Sequence, residues 1–529
     1  MERVTQKIFI MILLLGVIFH IKSCSKKQEI SANPYEGAKE PLGILFTSAR
    51  SFPASGLPGE TITLNVTGLL KYDKQFKLYL NRVECEIVSL TESTVDIRIP
   101  AEVSSGIVTV VLNSQIFYGP SVGVEGKATV DTDLKIVNGF TGLVSQVIPH
   151  SGGYLVTGSF TDFEGEASGT NIINSIHFLN SLGQSSTAMS FRRSATGGIS
   201  SIAKLADGKF IIGGNLSAFS RREVGGIAKL NANGSLDTTV VAVINPDTEN
   251  KPLDGLDTVS TFNGQLSGSI VSVFEADDNA VIAIGTFDFH YKTDYTFSSR
   301  DNRRYIFTRV KNIAKLKADG SLDSTFNISN VGFNGFVSGA VKMNDGRIVI
   351  VGSFTSYNGI SARNIVCIKQ NGEVDESFLS GGTDRGISNI TYNATTDKLA
   401  IAGDFKQVAG FTTNGVVILN SNGVIDQTFN FGVLENGTAY FAYPLTNGRV
   451  FVQGSFVKYN GIDRTGILFL EADGTAKQEY NNLGNLLGIV NTLIETTSSL
   501  GNPAILLGGL IISVDGKTTG NIVRIELRN

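Results

Sequence analysis

The chain has 529 residues and a net charge of −4, with charges of both signs mixed along it, so it offers no basic face for nucleic acid. Its 59 glycines, 11 prolines and recurrent short runs of Val, Ile, Phe and Thr point to an all-β protein with many tight turns, and its length exceeds one ordinary domain. At the start, Arg3 and Lys7 precede an apolar stretch, Ile8 to Ile21, followed by Lys22-Ser23-Cys24. A basic start, a short apolar core and a small residue before the cut form the pattern of a secretory signal over residues 1–23. As a helix that stretch rises only about 21 Å, short of the roughly 30 Å hydrocarbon core that a spanning helix must cross.

The residues ending at Cys24 resemble the loose lipobox of Bacteroidetes lipoproteins. That resemblance implies cleavage before Cys24, lipid on Cys24 and an outer-membrane anchor, since two or more acyl chains hold a protein stably where one does not. Residues 24–40 are polar, contain Pro34 and read as a tether. Ser25-Lys-Lys-Gln-Glu29 holds one acid only and departs from the acidic surface-export signals of these bacteria. Only Cys85 and Cys367 remain after Cys24, far apart in the chain, so each is expected as a small buried residue rather than part of a disulfide framework.

Residues 41–126 read as short strands separated by turns: Ile62-Thr-Leu-Asn-Val66 after Pro58-Gly59, Thr94-Val-Asp-Ile-Arg-Ile99 before Pro100, and Ile107-Val-Thr-Val-Val-Leu112. Strands at this spacing suggest a small β-sandwich. The succession, with Val83-Glu-Cys-Glu-Ile-Val88 and Gly106, resembles the immunoglobulin-like fold of plexins and transcription factors. The resemblance implies a spacer or docking unit.

Residues 127–529 repeat. A glycine after a β-run, with an aromatic or apolar residue two positions on, recurs as Gly158-Ser-Phe160, Gly214-Asn-Leu216, Gly285-Thr-Phe287, Gly352-Ser-Phe354, Gly403-Asp-Phe405, Gly454-Ser-Phe456 and Gly509-Leu-Ile511. A second glycine follows in most units (Gly165, Gly359, Gly410, Gly461 and Gly516), then a strand such as Ile313-Ala-Lys-Leu316. A turn and tail finish the unit, as in Asp319-Gly-Ser-Leu-Asp-Ser-Thr-Phe326. Units of about 50 residues with four strands each are the mark of a β-propeller, whose blades bury their faces only by stacking on neighbours. The motif from Asp319 to Phe326 resembles the delta-sixty family of bacterial propeller repeats. With the lipobox and the preceding domain, it resembles Bacteroidetes lipoproteins encoded beside nutrient importers of the SusC/SusD type.

Ring closure is predicted by alignment. Asn521-Ile-Val-Arg-Ile525 matches Asn312-Ile-Ala-Lys-Leu316, which leaves the last unit one strand short, and Val130-Asp-Thr-Asp-Leu134 matches the missing Leu322-Asp-Ser-Thr-Phe326. The fold read from the sequence is all-β: a small immunoglobulin-like β-sandwich followed by a seven-bladed β-propeller closed by its N-terminal strand.

Chemistry is sparse. His150, His177 and His290 have no His, Cys or acidic partner at metal-ligand spacing, and there is no nucleophile elbow, zinc helix or phosphate loop. Acid-containing turns such as Asn231-Ala-Asn-Gly-Ser-Leu-Asp237 read as hairpin turns rather than calcium loops. No cofactor and no metal is expected. With tryptophan absent, a glycan platform would rest on Tyr or Phe.

One unit departs from the repeat. Phe287, Phe289, Tyr291, Thr293, Tyr295 and Phe297 occupy every second position, a polar turn runs from Ser298 to Asn302, and Arg303-Arg-Tyr-Ile-Phe-Thr-Arg309 returns. Alternation predicts an extended hairpin with its rings on one face, and Phe289, Tyr291, Tyr295, Phe297, Arg303 and Tyr305 as candidates for contact with a partner or ligand. Asn245 to Leu266 reads as a polar loop. The expected function is a non-enzymatic surface lipoprotein, an accessory binding or docking subunit of an outer-membrane nutrient uptake system, with SusC/SusD-like partners and a glycan or peptide ligand. The alternatives are a hydrolase on a polymeric nutrient, acting in the propeller channel, and a purely structural adaptor.

Overall fold

The computed structural model describes residues 41–528 apart from 170, 190, 192–194, 245–254, 328 and 379–380. The predicted signal, tether and Cys24 lie outside them. From Phe46 onward the described residues belong to one compact unit. Its regular structure is almost all β, the described helices being single 3-10 turns.

Alternation builds the first domain. In Thr61–Thr67 every second side chain (Ile62, Leu64, Val66) is buried, and the partner strand Thr94–Arg98 buries Val95 and Ile97 in the same way. The strands form one hydrogen-bonded path: Val83–Glu84, Lys77–Leu80, Gly106–Leu112, Gln115–Val124, Arg50–Gly56, Thr61–Thr67, Thr94–Arg98, Glu86–Leu90. Arg50–Gly56 joins the two branches, pairing in parallel with Gln115–Val124 and at Phe52↔Thr63 with the other side.

From Leu143 onward the chain makes one three-stranded antiparallel sheet after another. The first is Leu143–His150, Gly153–Ser159 and Ile176–Asn180, and the fourth is Phe336–Lys342, Ile348–Ser353 and Ile365–Ile368. In the first five units the tail after the third strand adds only a single bridge, as at Leu316↔Leu322 or Ile368↔Val374. The repeated glycine has one physical cause in all the sheets. Pairing of first and second strands slips by one residue just after Val144, Ile199, Ile270, Val337, Ile387, Ala439 and Val490. Opposite each of these bulges lies the repeat glycine. A Cβ there would stand 2.0 Å from the Leu143 carbonyl oxygen at Gly158 and 2.0 Å from that of Phe336 at Gly352. A bulge re-aims the side chains beside it, and here they stitch neighbours together. Gln146 Oε1 accepts the Ile202 amide (2.7 Å), Ser338 Oγ donates to the Ile387 carbonyl (2.7 Å), and Thr492 Oγ1 accepts the Val147 amide (3.3 Å).

Apolar cores lie between successive sheets. Leu155, Ile176 and Phe178 pack with Ile199, Phe210 and Ile212 of the next sheet, and Leu205, Ile211 and Ile227 pack with Ile270, Val273 and Val281 of the one after. The last sheet returns to the first: Leu506 and Ile522 share a cluster with Val144, Tyr154 and Val156. The N-terminal segment completes the last sheet, pairing Ala128↔Leu527, Thr129↔Glu526 and Val130↔Ile525. The alignment placed this strand at Val130–Leu134; the observed strand is Ala128–Val130. Past it the chain turns inward, because the Asp131 carboxylate meets the buried Arg524 guanidinium at 2.6 Å and Leu134 drops into the core of the first sheet. Arg524 Nη1 also donates to the Ser181 carbonyl (2.8 Å), so one guanidinium ties the first and last sheets to the closing segment.

The first domain is fastened to the repeats. The Ser105 amide donates to the Asn482 carbonyl (2.9 Å), and Asn482 Nδ2 donates to the carbonyls of Val124 and Ala128 (both 3.0 Å). Arg464, 3% exposed, pairs with Glu102 at 2.8 Å. Cys85 and Cys367 are buried free thiols, pushed up to about 12 by burial.

Candidate functional site

The turn between second and third strands shows where the repeat is broken. In five units a two-residue turn suffices, its second residue a glycine in the left-handed region: Gly165, Gly359, Gly410, Gly461 and Gly516, φ between +72 and +82°. In the third unit that turn is replaced by an outgrowth. Phe289–Thr293 pairs with Tyr305–Arg309 through Phe289↔Arg309, Tyr291↔Phe307 and Thr293↔Tyr305.

Of the preceding insertion, expected as a loop from Asn245 to Leu266, residues 245–254 lie outside the described ones, and the rest holds two strands. Leu256–Ser260 pairs with Thr238–Ala242, and Gln265–Leu266 joins the outgrowth beside His290 and Tyr291. Alternating Thr-Val-Val and Asp-Thr-Val-Ser runs satisfy their backbones against each other, which the surrounding Asn, Asp and Gly obscured. The Ile244 amide donates to the Ser298 carbonyl (2.8 Å), joining the two insertions.

The single aromatic face is not what forms. Phe287 is buried in the core between the second and third sheets, and the strand ends at Thr293. Tyr295–Phe297 is a 3-10 turn, because the Ser298 hydroxyl donates to the Asp294 carbonyl (2.7 Å) and accepts the Arg304 amide (3.0 Å), with Ser298 fully buried. The rings therefore divide. Phe289 and Phe297 are exposed at 40% and 60%, as are Phe307 at 63% and Ile306 at 49% on the return strand. The Arg304 guanidinium lies 4.7 Å over the Phe297 ring. Half-buried Tyr291 packs edge-on against Phe307 (4.8 Å).

Tyr295, Arg303 and Tyr305 turn instead toward a polar cleft. Arg303 stands 5.6 Å over the Tyr295 ring and is ion-paired with Asp257. Tyr305 donates to Glu223 Oε1 (3.2 Å), which also accepts from Gln265 Nε2 (2.6 Å). Burial raises the Tyr295 phenol, and burial with the adjacent Glu223 carboxylate raises that of Tyr305. The cleft, about 190 Å³, is further lined by Arg221, Arg222, Ser260, Asn263 and Arg300. Arg222 donates to the Thr258 carbonyl and Arg300 Nε to that of Leu256 (2.8 Å). Sequence reading missed this second half of the site. One signal was available: Ser220-Arg221 occupies the two-residue turn where sister units place Gly at the second position.

Elsewhere the polar side chains that sequence reading singled out bond to one another and to the backbone. His177 meets Ser185 at 2.9 Å and Ser185 Oγ lies 2.5 Å from Glu166 Oε2, so the hydroxyl donates to the carboxylate and the imidazole Nε2–H donates to the hydroxyl. That order leaves the ring no role as base toward the serine. Burial pushes both His177 and His290 down to about 4. Asp323 Oδ1 accepts the amide and hydroxyl of Thr325 (3.0 and 2.6 Å), so the acid-rich tails are side-chain-capped turns. Among the described residues no group of three His, Cys, Asp or Glu is placed to hold a metal ion.

Residues 20–120 match a domain of unknown function, DUF5008. Residues 205–239, 307–326, 344–378 and 396–429 match DUF5122, described as a β-propeller domain of unknown function. The repeated sheets are β-propeller units. The propeller match stops at 239 and resumes at 307; between lie the first two strands of the third sheet, the preceding insertion and most of the outgrowth. No curated protein matches the chain. Similar solved structures include an auxiliary nutrient binding protein from Bacteroides ovatus (10% identity, 90% of this chain and 96% of that one, TM-score 0.28). Another auxiliary nutrient binding protein, from Bacteroides thetaiotaomicron, is similar at 9% identity, 92% and 97% coverage and TM-score 0.32. PorZ, a surface component of the type-IX secretion system of Porphyromonas gingivalis, is similar at 10% identity, 89% and 57% coverage and TM-score 0.33.

Proposed function

We propose that this chain is a lipid-anchored, non-enzymatic accessory subunit of an outer-membrane nutrient uptake system. On this reading Cys24 carries the lipid and residues 24–40 tether an immunoglobulin-like sandwich. That sandwich is fixed to a seven-bladed propeller, and the third blade carries the binding element. The supporting observation is the outgrowth. It replaces the two-residue turn that other units use between second and third strands, carries exposed Phe297 and Phe307, and lends Thr293, Tyr295 and Arg303 to a charged cleft. A blade needs none of this to close its sheet, and exposed aromatic surface marks contact sites. Phe289, Tyr291, Phe297 and Phe307 supply apolar contact; Tyr295, Arg303 and Tyr305 supply polar recognition. The sequence pattern ending at Cys24, together with the order of sandwich and propeller, supports the location and the SusC/SusD-like partners.

The anchor is tested by changing Cys24 to Ala and separating membranes from soluble fractions. The variant is expected in the soluble fraction and wild type with outer membranes. A variant that stays with membranes as fully as wild type contradicts the anchor.

A further inference from the structure

We propose that the third-blade cleft holds a carboxylate-bearing sugar ring, so that the ligand of this subunit is an acidic glycan; this rests on the binding reading above. Charge points there first. With Arg300 set aside as already engaged, the named lining contains three guanidiniums, Arg221, Arg222 and Arg303, against two carboxylates, Glu223 and Asp257. Both acids are engaged, Asp257 by Arg303 and Glu223 by Tyr305 and Gln265. The excess positive charge faces a partly enclosed space and favours an anion there.

Unpaired donors point the same way. Ser260, 1% exposed, lines the cleft with a buried hydroxyl that has no partner, and Nη1 of Arg303 is buried without one. Buried polar groups left unpaired are destabilising unless a ligand or water meets them. Arg221 lines the same space and holds φ +66° at the turn position where five sister units have glycine, so the side chain that sets this turn apart is a guanidinium at the cleft.

The class of anion follows from shape and company. A volume of 190 Å³ is that of about six water molecules, the bulk of one pyranose ring. Asn263, Gln265, Thr293 and Ser260 offer the mixed donors and acceptors that sugar hydroxyls require, and the Tyr295 ring offers a face. A planar carboxylate suits the paired N–H groups of arginine.

Titration calorimetry on the purified full-length chain tests this with three probes: a glucuronate-containing oligosaccharide, an uncharged glucose oligosaccharide of equal length, and hexaglutamate. The acidic sugar is expected to bind, the neutral one at least about tenfold more weakly, as loss of one charge-assisted pair implies. Arg222→Gln, at an exposed position, is expected to weaken the acidic sugar by about tenfold with an unchanged melting temperature. Arg303→Gln is the deeper variant, and Arg222→Gln decides if it does not fold. Equal binding of acidic and neutral sugars, or an Arg222→Gln variant that binds like wild type, overturns the proposal. Binding of hexaglutamate alone, or of no probe, also overturns it and leaves the accessory-subunit reading standing, since that reading fails only with loss of the membrane partner.

Discussion

Arg524 shows how much one residue carries. Its guanidinium is 1% exposed, and it bonds to Asp131, Tyr154 and Ser181, which belong to the closing segment and to the first sheet. Asp131→Ala leaves that charge buried and unpaired, and is expected to destabilise by about 3–5 kcal/mol, as when one member of a buried pair is removed. Chemical denaturation measures it, and a loss within the range of ordinary surface substitutions contradicts this role. Acid sensitivity also belongs to named residues. Burial holds His177 and His290 at about 4, well below the ordinary 6.5. The unfolded chain therefore takes up protons first, and stability falls as pH drops from 6.5 to about 4. Hydroxyls on Thr325 and Ser377 hold Asp323 and Asp375 below their ordinary value. Their contribution is present above the unfolded pKa, about 3.9, and is lost as pH falls through the lower folded one. A melting curve against pH should show both stages, with His177→Gln flattening the first and Asp375→Asn the second. Variants whose slopes match wild type count against the assignment.

At the scale of elements, the bulge with its opposed glycine defines the blade. Gly352→Ala would place Cβ 2.0 Å from the Phe336 carbonyl oxygen. The strands must part, and a loss of about 2 kcal/mol or more is expected where a small residue is conformationally required. Calorimetric melting checks it; an unchanged midpoint would mean the bulge is not rigid. This element was legible because the constraint falls on one residue type at one place in every unit. The outgrowth was half legible. Alternation located Phe289 and Tyr291 in a strand, but period two says nothing of where a strand stops, and Ser298 turns the chain through side-chain bonds that periodicity does not register. Cleft residues from 221–223 and 257–265 were illegible as a site, because they meet Tyr295 and Arg303 only through tertiary pairing of two insertions.

Over the whole molecule, the return of the last sheet to the first was readable from alignment, since a missing strand at one end and a surplus one at the other imply each other. The register held, since Val130 faces Ile525 as Leu322 faces Leu316; the extent did not, because matching apolar patterns does not show that the chain leaves the sheet where Asp131 meets Arg524. Docking of the first domain through Ser105, Asn482 and Arg464 left no sequence signal, because single polar residues far apart in the chain meet there only in the folded structure. The result is a ring of repeated sheets with one added outgrowth, and on the proposed reading that outgrowth decides the function. The most direct test is affinity purification of the tagged chain from membranes in native detergent, wild type beside Phe297→Ser/Phe307→Ser. Both side chains are more than half exposed, so stability should stay within about 0.5 kcal/mol of wild type, while loss of interface aromatics typically costs about 2 kcal/mol or more each. Wild type is expected to bring down outer-membrane importer subunits, and the equally stable double variant is expected to bring down none; a stable double variant that retains them, or a wild type that captures none, would contradict the binding role of the outgrowth.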